Sequence, residues 1–148
     1  MGAAAGAMMM VLPSLAVAAD FGLTVDLSFS PKAAAKLSSL SEGVVVAAFF
    51  SGPPTPAARK RADETGRIFL GNEKVTVESD VRSARLTGRV VPRNRLDWVE
   101  DRKVEVLVNV YSARRRGPDN ILDCDVFEGE VAEAAKAPVR IGCKLIGE

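Results

Sequence analysis

From Leu23 to Phe29 the apolar residues Leu23, Val25, Leu27 and Phe29 alternate with Thr24, Asp26 and Ser28, the period of a strand with one buried face. The period then changes. Ala33, Leu37 and Leu40 recur at helical spacing, with Ser30 placed to cap the helix, Pro31 suited to its first position and Gly43 able to end it. Val44 to Phe50 is apolar on both parities, which suits a central strand covered on both sides, one of them by that helix. The run Gly52-Pro53-Pro54-Thr55-Pro56 stops this strand, because proline cannot donate to a ladder.

Arg59 to Thr65 is charged and expected at the surface. Arg67 to Leu70 and Lys74 to Glu78 read as two strands of a hairpin turning at Gly71-Asn72, with Val75 and Val77 facing inward. Ala84, Leu86 and Val90 form another inward set, with Gly88 as a bulge and Pro92 closing the strand. Arg93 to Asp101 reads as a loop carrying the only Trp, Trp98. Lys103 to Tyr111 gives the strongest strand signal, Val104, Val106, Val108 and Val110 sharing a face, and it is expected to be central. After the polar loop Ser112 to Asn120 come a strand over Ile121 to Phe127, a helical stretch around Val131 to Lys136, and a last strand from Val139 to Ile146. Seven or eight short strands with one or two short helices, joined by connections too short for helical crossovers, predict an antiparallel β-sandwich of the immunoglobulin-like or transthyretin-like sort.

The first 19 residues stand apart. All four Met lie within the first ten, the first charged residue is Asp20, and the apolar run ends in Ala16-Val17-Ala18-Ala19, small residues at the spacing a signal peptidase accepts. Residues 1–19 are therefore expected to be a cleaved export signal, cut after Ala18 or Ala19, although no Lys or Arg precedes the run. The remaining residues 20–148 are expected to form one β-sandwich domain in the periplasm or outside the cell, with no membrane anchor left after cleavage. Export changes the meaning of the two cysteines. On the expected strands Cys124 shares parity with Leu122 and Val126, and Cys143 with Ile141 and Leu145, so both thiols point inward. An oxidising compartment joins such a pair, and the predicted bridge is Cys124–Cys143.

Composition narrows the chemistry further. With 20 Lys+Arg against 19 Asp+Glu the net charge is +1, so nothing global draws the chain to nucleic acid. The absence of His removes Ser-His-Asp, Cys-His and HExxH chemistry. No GxSxG, SxxK, GxxxxGK[ST] or GxGxxG motif occurs, no cofactor or metal is expected, and the aromatic supply is thin for a stacking platform.

What remains is charged. Arg114-Arg115-Arg116, with Asp119 and Asn120 in the same loop, forms the candidate binding surface, since guanidiniums grip carboxylate, phosphate or sulfate by forked hydrogen bonds. The competing reading is a solvated turn that pairs with Asp119 and Asp123. Arg59-Lys60-Arg61 is a weaker version of the same feature, balanced by Asp63 and Glu64. Asp119, Asn120, Asp123 and Asp125 offer oxygen ligands but fit no EF-hand spacing. Asp123 and Asp125, about 7 Å apart on one strand face, are the only carboxylate pair that could serve a hydrolase. The expectation is thus a non-catalytic exported domain that binds a protein or cell-envelope component; the alternative is a small secreted hydrolase working at Asp123 and Asp125.

Overall fold

In the computed structural model, which describes residues 20–148, the first alternating segment forms β1 (Leu23–Phe29), with Leu23, Val25 and Leu27 buried. The expected export signal lies outside the described residues. Helix α1 (Pro31–Ser39) starts as its sequence dictates: the Ser30 hydroxyl accepts a hydrogen bond from the Ala33 N–H at 3.1 Å, and Pro31 opens the first turn. It stops at Leu40, and Gly43 is already the first residue of β2 (Gly43–Gly52).

Ala33 and Leu37 lock α1 against β1 and β8 (Val139–Leu145), so the helix does not cover β2. That strand nevertheless buries both parities. Val44, Val46, Ala48 and Phe50 enter the core, whereas Val45 and Ala47 lie on the other face. There Val45 has Thr76 and Tyr111 as its cross-strand neighbours, and Ala47 has Lys74 and Asn109. Small side chains between longer ones lose their solvent without a layer above them.

The expected hairpin at Gly71-Asn72 does not form. Ile68 to Glu78 is one strand, β3, paired antiparallel with β2 along its length, and its register shifts opposite Phe50 and Ser51. Gly71, at φ 127°, takes up the irregularity as a bulge, so a residue pair typical of turns is used to bend a strand. β4 (Ser83–Leu86) is shorter than expected: the chain turns at Gly88, φ 69°, leaving Val90 38% exposed while Val91 is buried. Arg93–Trp98 and Glu100–Arg102 are 3₁₀ turns.

β5 (Glu105–Ser112) is interior, between β2 and β7 (Phe127–Glu130), with Val106, Val108 and Val110 in the core. β6 is only Leu122–Cys124, and a helical turn, α2 (Val131–Ala134), joins β7 to β8. The expected strand over Ile121 to Phe127 is broken because the chain leaves one sheet after Cys124 and enters the other at Phe127; Val126, expected inward, is 60% exposed at the crossing.

The two sheets run β4-β1-β8-β6 and β3-β2-β5-β7. They face each other across one core in a β-sandwich. β1 and β8 pair in parallel, so the first sheet is mixed rather than purely antiparallel. Every strand-to-strand connection except β2 to β3 passes from one sheet to the other. Cys124 and Cys143 face each other across the β6–β8 pair, Cα atoms 4.0 Å apart, and form the expected disulfide. Among the described residues no helix is long and apolar enough to cross a membrane.

Candidate binding loop and its neighbours

The loop Ser112 to Asn120 joins β5 to β6 and is fastened at both ends. At its base Ser112 is 1% exposed. The Ser112 N–H and hydroxyl donate to Asn120 Oδ1 at 2.9 and 3.2 Å, and the Leu122 N–H reaches the same oxygen at 3.1 Å. Asn120 Nδ2 donates to the Leu122 carbonyl at 2.7 Å, and the Ile121 N–H donates to the Ser112 hydroxyl at 3.0 Å. Asn120 thus closes the loop by satisfying backbone groups that would otherwise lack partners where two strands diverge.

The apex is held by a residue the sequence reading passed over. Glu42, 3% exposed, lies between α1 and β2 and turns its carboxylate under the loop. It accepts from the Gly43 N–H at 2.8 Å, from the Arg115 N–H at 3.1 and 3.0 Å through its two oxygens, and from the Arg116 N–H at 3.3 Å. Arg114, with φ at 59°, bends the backbone so that successive N–H groups converge on that carboxylate. The one available signal was position: a lone Glu directly before a run buried on both parities is carried inside by its neighbours and must find donors.

The three arginines consequently have different fates. The Arg115 guanidinium grips Glu78 at the end of β3 through two hydrogen bonds of 2.9 and 2.8 Å. Arg116 Nε donates to the Leu40 carbonyl at 2.9 Å, serving the C-terminus of α1. Arg114 alone stands out from the loop, its guanidinium 5.8 Å from the Tyr111 ring centroid. The local pairing expected with Asp119 and Asp123 is replaced by pairing with Glu78, Leu40 and Glu42. Asp119 is exposed, and Asp123 faces Lys144 at 3.9 Å.

Arg114 and Asn120 line one side of an open cleft of about 460 Å³, together with Asn109, Tyr111 and Asp123. Arg115, Arg116 and Asp119 are outside it. Asp123 also borders a neighbouring groove of about 600 Å³ beside the disulfide, where Asp125, Ser28, Ser30 and Lys144 are found. Asp125 does not share a strand face with Asp123, since β6 has already ended. Its backbone N–H donates to the Gly142 carbonyl at 2.9 Å, and its carboxylate accepts from the Gly142 N–H at 3.0 Å. Arg59, Lys60 and Arg61 end the 3₁₀ turn Pro56–Arg61, with the Arg61 guanidinium 4.3 Å from the Trp98 ring centroid.

The Arg115 fork holds the Glu78 carboxyl below the usual glutamate range, and the same contact raises Arg115. A depressed carboxylate contributes stability above its unfolded pKa and loses it as pH falls through the folded value, so this pair opens only below the ordinary glutamate range. NMR titration should therefore give Glu78 a lower midpoint than the exposed glutamates, and Arg115→Ala should return it to the ordinary range. An unchanged midpoint in that variant would mean the fork is not closed in solution.

The chain matches no protein-family model, no curated protein and no solved structure. The class established by the fold is a disulfide-bonded β-sandwich.

Proposed function

We propose that the chain is an exported, non-catalytic β-sandwich domain that binds a protein or another component of the cell envelope, using the Ser112–Asn120 loop and the cleft beside Arg114. The observation that carries this reading is the anchoring of the loop. Glu42 and Asn120 fix its backbone from within, so Arg114 is presented at little ordering cost, beside Tyr111 and a polar cleft. Export is supported by the Ala-rich leader in the sequence and by the disulfide, which persists in oxidising compartments.

The test substitution is Arg114 alone, because Arg115 and Arg116 are tied into the structure. Protein from the native host should begin at Ala19 or Asp20 by mass spectrometry. A partner recovered from envelope extract and identified should bind Arg114→Ser about tenfold more weakly, the loss of one charge-assisted contact, and with a smaller salt dependence. Lys32→Ala, which removes the same charge from α1, should bind as the parent does. Equal affinity of Arg114→Ser and the parent would remove the loop from the interface, and an intact Met1 in cytosolic protein would remove export. Hydrolysis abolished by Asp123→Asn or Asp125→Asn would replace the proposal with the hydrolase alternative.

A further inference from the structure

The sheet β3-β2-β5-β7 gives one face to the core and the other to solvent, while α1 packs on the opposite sheet. An outward sheet face normally alternates into polar residues. β2 instead presents Val45, Ala47 and Phe49 there, and it carries no charged residue from Gly43 to Gly52. Phe49 stands opposite Leu107 on β5, and Phe69 on β3 stands opposite Ser51, the next outward position of β2. Phe49 is partly buried, whereas Leu107 and Phe69 remain 36% and 44% exposed. We propose that this face joins two copies of the chain in a two-fold dimer, with these three large apolar side chains at its centre and Lys74 of each copy meeting Glu128 of the other.

Register places Lys74 on β3 at one margin of the face, opposite Ala47, and Glu128 on β7 at the other, opposite Leu107. Both are exposed, and neither side chain has a partner among the described residues. The other charges on the face are neutralised within the chain: Glu105 by Arg67, Glu130 by Lys103 and Glu78 by Arg115. One unpaired cation and one unpaired anion thus flank the apolar centre, on strands about 14 Å apart.

That arrangement complements itself. Two such sheets stacked face to face about an axis parallel to their strands lay β3 of one copy over β7 of the other, and β2 over β5. Lys74 and the opposing Glu128 are then one outward position apart along the strand, about 7 Å, which the lysine side chain spans. A second copy therefore meets the basic margin with its acidic one twice, whereas a polyanion or an anionic lipid surface would satisfy one margin and be repelled by the other. The apolar centre lies toward the Gly52 end of β2, and the Ser112–Asn120 loop at its Gly43 end. Since β5 runs in the same direction in both copies, the two loops emerge at one end of the dimer. On the function proposed above, the pair would present two Arg114 clefts to one surface.

Sedimentation equilibrium of the parent is expected to show a dimer that dissociates on dilution. Leu107→Asp puts a carboxylate into the apolar centre and should weaken association about a hundredfold. Lys74→Glu and Glu128→Lys each turn two attractive contacts per dimer into repulsive ones, for a loss of about tenfold. The variant that carries both changes exchanges the two charges and should recover the parent's affinity to within about threefold. This exchange decides the matter if Leu107→Asp disturbs the fold. A parent that stays monomeric up to about 1 mM, equal affinities of Leu107→Asp and the parent, or a double variant no better than either single one would overturn the proposal. So would a monomer that cosediments with phosphatidylglycerol vesicles and loses that binding in Lys74→Glu, which would assign the face to lipid.

Discussion

Glu42→Ala should destabilise the folded protein by about 3 kcal/mol, in the range found when a buried charge-assisted network loses its acceptor. Three backbone N–H groups, those of Gly43, Arg115 and Arg116, now share that carboxylate, and alanine would leave them with nothing to bond. Glu42→Gln keeps one acceptor oxygen but points an amide NH₂ at the same donors, so about half the loss is expected there. Urea unfolding monitored by Trp98 fluorescence measures both. Hydrogen exchange adds a local reading, since in Glu42→Ala the amides of Arg115 and Arg116 should lose protection more than those of β5. A midpoint unchanged by Glu42→Ala would mean that the loop holds itself by other means, and the rigidity argued for Arg114 would go with it.

Reduction of Cys124–Cys143 should cost a comparable amount, about 3 kcal/mol in the chain-entropy account of a loop of this length, or a fall in Tm of roughly 10 °C. The two residues are 19 apart in sequence and directly opposed across β6 and β8. β6 has only three residues and is the edge of its sheet, with a crossing to the other sheet at each end. A strand so short keeps its place largely through the bridge, so a Cys124→Ser, Cys143→Ser variant should show early exchange at Leu122 to Cys124 before global unfolding. Identical unfolding curves for the oxidised and reduced protein would show that packing of Leu122 and Ile141 suffices without the covalent link.

Local sequence pattern reaches some parts of this fold and not others, for physical reasons. β1, α1 and the valine face of β5 follow from side-chain period and capping, both set within a few residues, and the disulfide follows from parity once two late strands are granted. The errors arise where a tertiary choice overrides a local signal. Gly71-Asn72 is a strong turn pair, yet β2 continues beside it, and the additional ladder hydrogen bonds favour a bulge over a reversal. Val126 continues the alternation of Leu122 and Cys124, but nothing in that alternation records that the chain changes sheets after Cys124. The candidate loop was visible through its arginine run. Its partners Glu78 and Leu40 were not, because they are distant in sequence, and Glu42 resembled any polar residue between a helix and a strand.

The parallel pairing of β1 with β8 has a consequence for how the chain is made. β8 is the last of the eight strands to be synthesised, and it occupies an inner position between β1 and β6. Until it arrives, β1 has only β4 beside it, β6 has no partner, and the inner face of the opposite sheet lacks part of its cover. No stretch of chain that ends before Val139 can complete the core, so folding waits on the C-terminal strand and on contacts of large sequence separation. A nascent chain of this topology is expected to stay loose until β8 is made, the condition in which a polypeptide can be threaded through a narrow translocation channel. On the export proposed above, the strand order itself would hold folding back until β8 has crossed.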